Sequence, residues 1–208
     1  MNPDNSLDEF KERSLEQLPK ELQTTFYVDN PQKIFWLSMI TLGFYPALWF
    51  YRHWRHFKRR AIECKKLNIE TPIKYEKDSE ISPFWSTFFC GYYIVGTARR
   101  IRDRLRYLGS SGFSTGPWWA FWLFSLSNLP TWRYETSENI SQNILVLVVD
   151  LIGISIASWQ VTRLQIKANQ SILLSNERES ISRKKLKRWD LIFIIFGVIF
   201  AIFYIFGS

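Results

Sequence analysis

The chain has 208 residues, enough for about one domain, with 10 Trp, 9 Tyr, 17 Phe and a net charge of +8. That aromatic content excludes a disordered chain. Two cysteines 26 residues apart exclude a disulfide scaffold, and two Cys with two His at no ligand spacing leave no zinc module. The mean hydropathy of −0.13 conceals a segregation of long apolar runs from very polar stretches.

Residues 1–30 form a polar, acidic arm with seven acids against three bases, net −4, which leaves +12 on residues 31–208. No basic start or apolar core of a signal peptide is present. Ser6 and Glu9 make a capping box, Leu7, Phe10, Leu15 and Leu18 a partial apolar stripe, and Pro19 a stop, so the spacing predicts a short amphipathic helix. The first apolar run, 34–51, has 18 residues without a charge, about 27 Å as helix against a hydrocarbon core of about 30 Å. Gly43 and Pro46 interrupt it. A second run, 81–96, is short and broken by Pro83, Gly91 and Gly96. The two runs look like a degenerate repeat: Phe35-Trp36 matches Phe84-Trp85, Gly43-Phe44-Tyr45 matches Gly91-Tyr92-Tyr93, and an arginine-rich tail follows each. Three further apolar segments lie at 117–134, 144–159 and 189–206.

Lys and Arg accumulate at 52–66 (seven), 97–109 (five) and 160–188 (eight), whereas 131–143 has one. Under the positive-inside rule the first three stretches are cytoplasmic and the last external. Segment 81–96 then has both flanks on one side, so it is expected to re-enter, with Gly91 and Gly96 at its turn. The repeat extends this to 34–51, turning at Gly43 and Pro46; the rival is that 34–51 spans. The expected fold is all-α and integral to the membrane, with about three transmembrane helices, two short re-entrant or interfacial hairpins and the amphipathic N-terminal helix.

The residues Thr41, Gly43 and Tyr45, followed by Trp49 and Tyr51, make a Thr-x-Gly-x-Tyr-x-x-x-Trp-x-Tyr signature. Together with Ile81-Ser82-Pro83-Phe84-Trp85, Asn128-Leu129-Pro130 and the final apolar run, the chain resembles uncharacterised bacterial multi-pass membrane proteins carrying a domain of unknown function, loosely over 26–206. Pro46 directly after Tyr45 departs from their pattern. The resemblance implies a bacterial envelope protein and supplies no catalytic residues.

Asp150, near the middle of 144–159, is the sharpest single residue, because a carboxylate in a span costs about 2.5–3.5 kcal/mol and defaults to a functional role. Arg52, Arg55 and Arg59 share one helical face, as do Arg99, Arg102 and Arg106. With Arg100 and the bases Lys184, Lys185, Lys187 and Arg188, they suit cytoplasmic anchoring and anionic headgroups, worth about 1 kcal/mol per base near the surface. No nucleic-acid motif accompanies them. His53 and His56 lack a third ligand, so no metal is expected, and no cofactor or catalytic constellation is expected either. Cys64 and Cys90 read as reduced thiols. Gln165 and Asn169 line one face of an amphipathic extension and suit a partner contact. The expected function is a non-catalytic accessory or scaffolding protein of a bacterial inner membrane, binding anionic lipid and a protein partner or a second copy. The alternative is a small transporter or ion pathway using Asp150.

Overall fold

A computed structural model describes residues 17–69, 77–111, 113, 140–175, 188, 190–192, 194–195 and 197–199; of these, the side chains at 88, 90–92, 140–147 and 150 are not described. The described residues are helical, without strands. After a 3-10 turn at Lys20–Leu22 come α1 (Pro31–Ile40), α2 (Tyr45–Lys66), α3 (Pro83–Phe88), α4 (Cys90–Tyr107) and α5 (Ile140–Leu174). The described residues between 188 and 199 are helical as well.

The helix ends follow from local chemistry. Asn30 caps α1, its side chain accepting from the backbone N–H of Gln32 (2.9 Å) and Lys33 (3.4 Å), and Pro31 occupies the first position, where its missing N–H costs nothing. Three helices stop in the same way. Gly43 N–H donates to Ser38 O and Leu42 N–H to Met39 O; Ile69 to Cys64 and Asn68 to Lys65; Ser110 to Leu105 and Gly109 to Arg106. Each is a Schellman motif, which needs a left-handed residue just past the helix. Leu42, Asn68 and Gly109 hold that position with φ of 47°, 51° and 74°. Ile69 packs against Cys64, the apolar contact that accompanies the motif. Beyond the first stop, the Thr41 hydroxyl accepts from Tyr45 N–H (2.9 Å) and starts α2.

Contacts set the helix directions. Asp29 pairs with Arg52, and Phe26 packs on Phe57, so the segment entering α1 runs antiparallel to α2. Asn169 meets the Asp29 carbonyl and Ser155 meets Met39, so α5 runs antiparallel to α1 and parallel to α2. Tyr93 lies against Trp54, and Arg100 against Trp54 and Phe57, so α4 also runs parallel to α2. The core between them is built from Tyr45, Trp49, Phe50, Trp54, Ile94, Ile101, Leu105, Val161, Leu164 and Ala168.

This architecture corrects the membrane-spanning expectation. Among the described residues no helix is long and apolar enough to cross a membrane, which does not fit a multi-pass inner-membrane protein. The physical reason is where helices break. Segment 34–51 is not one helix: α1 has 10 residues, about 15 Å, and α2 is basic from Arg52 onward. Segment 81–96 is split into α3, about 9 Å long, and α4, which is basic from Arg99. Segment 144–159 belongs to the 35-residue α5, whose second half buries Gln160, Thr162, Gln165 and Asn169. Segment 117–134 and the amphipathic helix expected before Gln17 lie outside the described residues, as does much of 189–206. The turn residues also shift. Gly43 stands in the first break, but Pro46 lies in the first turn of α2, and Gly91 and Gly96 lie inside α4. The second break is Phe89, with φ −96° and ψ 38°. Both repeat units are nevertheless helix–break–helix, each entered through a proline, and Phe35–Trp36 and Phe84–Trp85 cross edge-on at the same 5.4 Å.

The three helix stops form a natural series. A Cβ built on Gly109 meets nothing within 4 Å, so Gly109→Ala isolates the left-handed penalty. It should lower stability by about 1 kcal/mol, with Gly109→Asn costing less, and exposed Asn68→Gly should raise stability by a few tenths. Urea unfolding of the three variants checks this; equal midpoints would contradict it.

Candidate functional site

Four ionised side chains and one phenol meet at one level of the bundle. Lys33 Nζ lies 2.6 Å from Asp29 Oδ1 and 3.4 Å from Asp190 Oδ2. The Arg52 guanidinium lies 2.7 Å from Asp190 Oδ1 and 3.7 Å from Asp29 Oδ2. Tyr45 Oη donates to Asp190 Oδ1 (3.1 Å) and accepts from Arg52 (3.0 Å). Each carboxylate therefore faces both cations, and the formal charge sums to zero. The side chains of Asp29 and Asp190 are 1% and 0% exposed, and those of Lys33 and Arg52 8% and 9%. Burial, then the charge of Asp29, pushes the Tyr45 phenol far above its ordinary range, so it stays a neutral donor. Burial alone would pull Arg52 down, but Tyr45, Tyr27 and Asp190 reverse that and hold it cationic.

A neutral bracket sits beside the cluster. Trp49 Nε1 donates to Gln165 Oε1 (2.7 Å), and Gln165 Nε2 donates to the Tyr27 carbonyl (3.0 Å) and to Asn169 Oδ1 (2.7 Å). Asn169 Nδ2 donates to the Asp29 carbonyl (3.0 Å). The partner of Gln165 and Asn169 is thus the chain's own segment 27–29, which they aim into the cluster.

The histidines are structural in their contacts. His53 Nδ1 lies 3.3 Å from the Trp49 carbonyl, and His56 Nε2 lies 2.9 Å from the Thr24 carbonyl. Because a carbonyl only accepts, these nitrogens carry the protons. Nε2 of His53 is then a buried acceptor with no hydrogen-bond partner among the described residues. Burial, reinforced by His56, lowers the His53 pKa to about 3. Among the described residues no group of three or more His, Cys, Asp or Glu is placed to hold a metal. Cys64 is buried, and burial raises its thiol pKa.

The arginines expected at a headgroup surface divide. Arg52 belongs to the buried cluster. Arg100 grips Asp78 through two bonds, of 2.5 and 2.7 Å, and lies over Trp54 at 5.0 Å and Phe57 at 4.9 Å. Arg102 is half-buried against Asp103. Arg55, Arg59, Arg99, Arg106 and Arg188 are exposed, Arg59 with Glu21 at 3.7 Å. Lys184, Lys185 and Lys187 lie outside the described residues. Asp150 lies on α5, but its side chain is outside the described ones.

Several large apolar side chains are exposed at and near the two helix breaks. Trp36, Phe84, Trp85 and Phe89 are 62%, 63%, 56% and 53% exposed, with Ile40 and Phe44 also exposed at the first break. Val149, Ile152, Val198 and Ile199 are exposed aliphatic side chains on α5 and the last helical residues. Since α2 and α4 run parallel, Phe44 and Phe89 begin the two helices, and Arg55 and Arg99 follow about 15 Å along them. Asp190 and the position of the last helical residues escaped the sequence. The available signal was an acid placed directly after a basic run and before an apolar one.

Removing one member of the cluster strands a charge. Asp190→Asn should cost about 3–5 kcal/mol, and a cycle with Arg52→Met should show coupling of at least about 1.5 kcal/mol by urea unfolding; additive effects would refute a closed cluster. For His53 the folded pKa of about 3 lies below the unfolded 6.5. Unfolding therefore takes up a proton between these values, and stability present above pH 6.5 is lost as pH falls toward 3. His53→Phe should flatten the profile by up to about 1.4 kcal/mol per pH unit in that window; an unchanged slope would contradict it. No family model, curated protein or solved structure matches this chain.

Proposed function

We propose that this chain is a non-catalytic accessory protein that docks through the exposed aromatics at its helix breaks on an anionic lipid surface. The observation that carries the proposal is axial: exposed Phe44 and Phe89 stand at the breaks where α2 and α4 begin, and exposed Arg55 and Arg99 follow about 15 Å along those helices. Tryptophan and phenylalanine lose hydration at the headgroup boundary, while guanidinium groups pair with phosphate and stay wet. Docking of this kind requires no helix to cross the bilayer. Among the described residues the buried charges, by contrast, are already matched to one another.

Sedimentation with vesicles of phosphatidylcholine, with or without phosphatidylglycerol, tests the proposal. Binding should require the anionic lipid and weaken with salt. Arg55→Gln and Arg99→Gln should each weaken it about five-fold, and Trp85→Ser with Phe89→Ser about ten-fold or more. All four side chains are exposed, so folding should survive. Indifference to lipid charge, or aromatic variants that change only the oligomeric state, would overturn it.

A further inference from the structure

We infer that the outward face of α5 is the seam of a homodimer in which two copies of the helix pack antiparallel; this stands independently of lipid docking. A surface helix is apolar toward its bundle and polar toward water. On α5 every described side chain that is exposed is apolar. Val161, Leu164, Ala168 and Ile172 turn toward the core, with Gln165 and Asn169 among them. The opposite face carries Val149, Ile152, Ile156, Trp159, Ile166 and Leu173, all exposed. With Arg163 and Gln170, both partly buried, these six advance by alternating steps of three and four, the spacing by which two helices lie along one another. A lipid contact at the first break covers one end of this face only. A Cβ on Gly43 would meet Ile154 at 3.7 Å, and Ser155 meets Met39, so the break is level with residues 154–155. Leu173 lies about 27 Å farther along the helix, whereas an interfacial contact is about 5–10 Å deep.

Charge and area select a second copy as the occupant. A parallel pair would set each Arg163 against the partner's Arg163. An antiparallel pair centred on residue 161 sets Val149 against the partner's Leu173, Ile152 against the partner's Gln170, Ile156 against the partner's Ile166 and Trp159 against the partner's Arg163. The two-fold axis repeats each contact, so no exposed member of the series is left over. Arg163 already lies over its own Trp159 ring at 4.6 Å, and an aromatic ring offers cations two faces. Gln170 brings a satisfied oxygen to its layer, since it accepts from Lys167 Nζ (3.0 Å). The exposed side chains of α5 together present on the order of 800 Å², the share one partner gives to a standard interface.

The test uses the full chain without lipid. Sedimentation velocity should show a dimer. Ile156→Ser/Ile166→Ser should raise its dissociation constant about a hundred-fold or more and keep the far-ultraviolet circular dichroism, because both side chains are exposed. Chains carrying Ile156→Cys and Ile166→Cys separately, mixed and oxidised, should join through position 156 of one and 166 of the other, as mass spectrometry reads. Disulfides from 156 to 156 or from 166 to 166 overturn the antiparallel seam. A chain that stays monomeric at every concentration overturns it as well, whether lipid or residues 117–134 cover the face instead. A dimer that Ile156→Ser/Ile166→Ser leaves intact has its interface elsewhere and overturns it too. Trp85→Ser/Phe89→Ser should keep the dimer, and its loss there counts against α5. A dimer that ignores phosphatidylglycerol vesicles leaves the seam standing and overturns lipid docking.

Discussion

The alternating square of Asp29, Lys33, Asp190 and Arg52 is the constraint that the other contacts of this fold must satisfy. Each charge withdrawn from water costs several kcal/mol, and in the interior that cost is offset only when every carboxylate sees its cations at bonding distance. The four residues come from four places: the segment before α1, α1 itself, α2 and the last helical stretch. A shift of any one by a helical turn would bury an unpaired ion. The cluster therefore acts on register more than on net stability. Neighbouring contacts follow it. The amides of Gln165 and Asn169 hold the backbone at 27–29 in place, and seven residues after Asp190, on the same face, Gly197 approaches Thr41 so closely that an added Cβ would lie 2.6 Å from its Cα. No residue but glycine fits that crossing without displacing the turn that starts α2.

With register set, exposed aromatics stand at the breaks that begin α2 and α4. α2, α4 and α5 run the same way, and α2 and α4 each carry bases in their last turn (Lys65 and Lys66; Arg104 and Arg106). Phe84, Trp85 and Phe89 form one exposed aromatic run, with Trp85 stacked on Phe89 at 6.1 Å, and exposed apolar patches mark interaction sites. The cluster also removes Arg52 from the surface, and the Asp78 clamp removes Arg100, so the bases left to meet a partner are fewer than the count along the chain suggests.

Much of the local structure was legible. The breaks in 34–51 and 81–96 and the matching Phe-Trp pairs are features of adjacent residues, whereas Pro83, read as a break in 81–96, opens α3. The span lengths were misjudged, because hydropathy adds residues across a break as readily as along a helix. Leu42 at φ 47° ends α1 after 10 residues, and nothing about leucine announces a left-handed turn. Gly91 and Gly96, for their part, were assigned to a turn on composition. Both lie inside α4, where a Cβ on Gly96 would make only ordinary contact with the Trp54 ring, at 4.0 Å.

The sequence by itself determined that 34–51 and 81–96 are interrupted runs, and that aromatics lead and arginines trail in both units. Those properties are encoded within a few residues, by caps, prolines and periodicity. Only the tertiary structure decided which charges are buried partners and which are surface. Asp190 meets Lys33 across 157 residues, and in one dimension it reads as the lip of an apolar run. Arg52 and Arg55 stand in the same basic tail, yet one is enclosed by two carboxylates and the other faces solvent. A charge is paired or free according to what folding brings within 4 Å of it, and that distance is set by packing between segments remote in the chain.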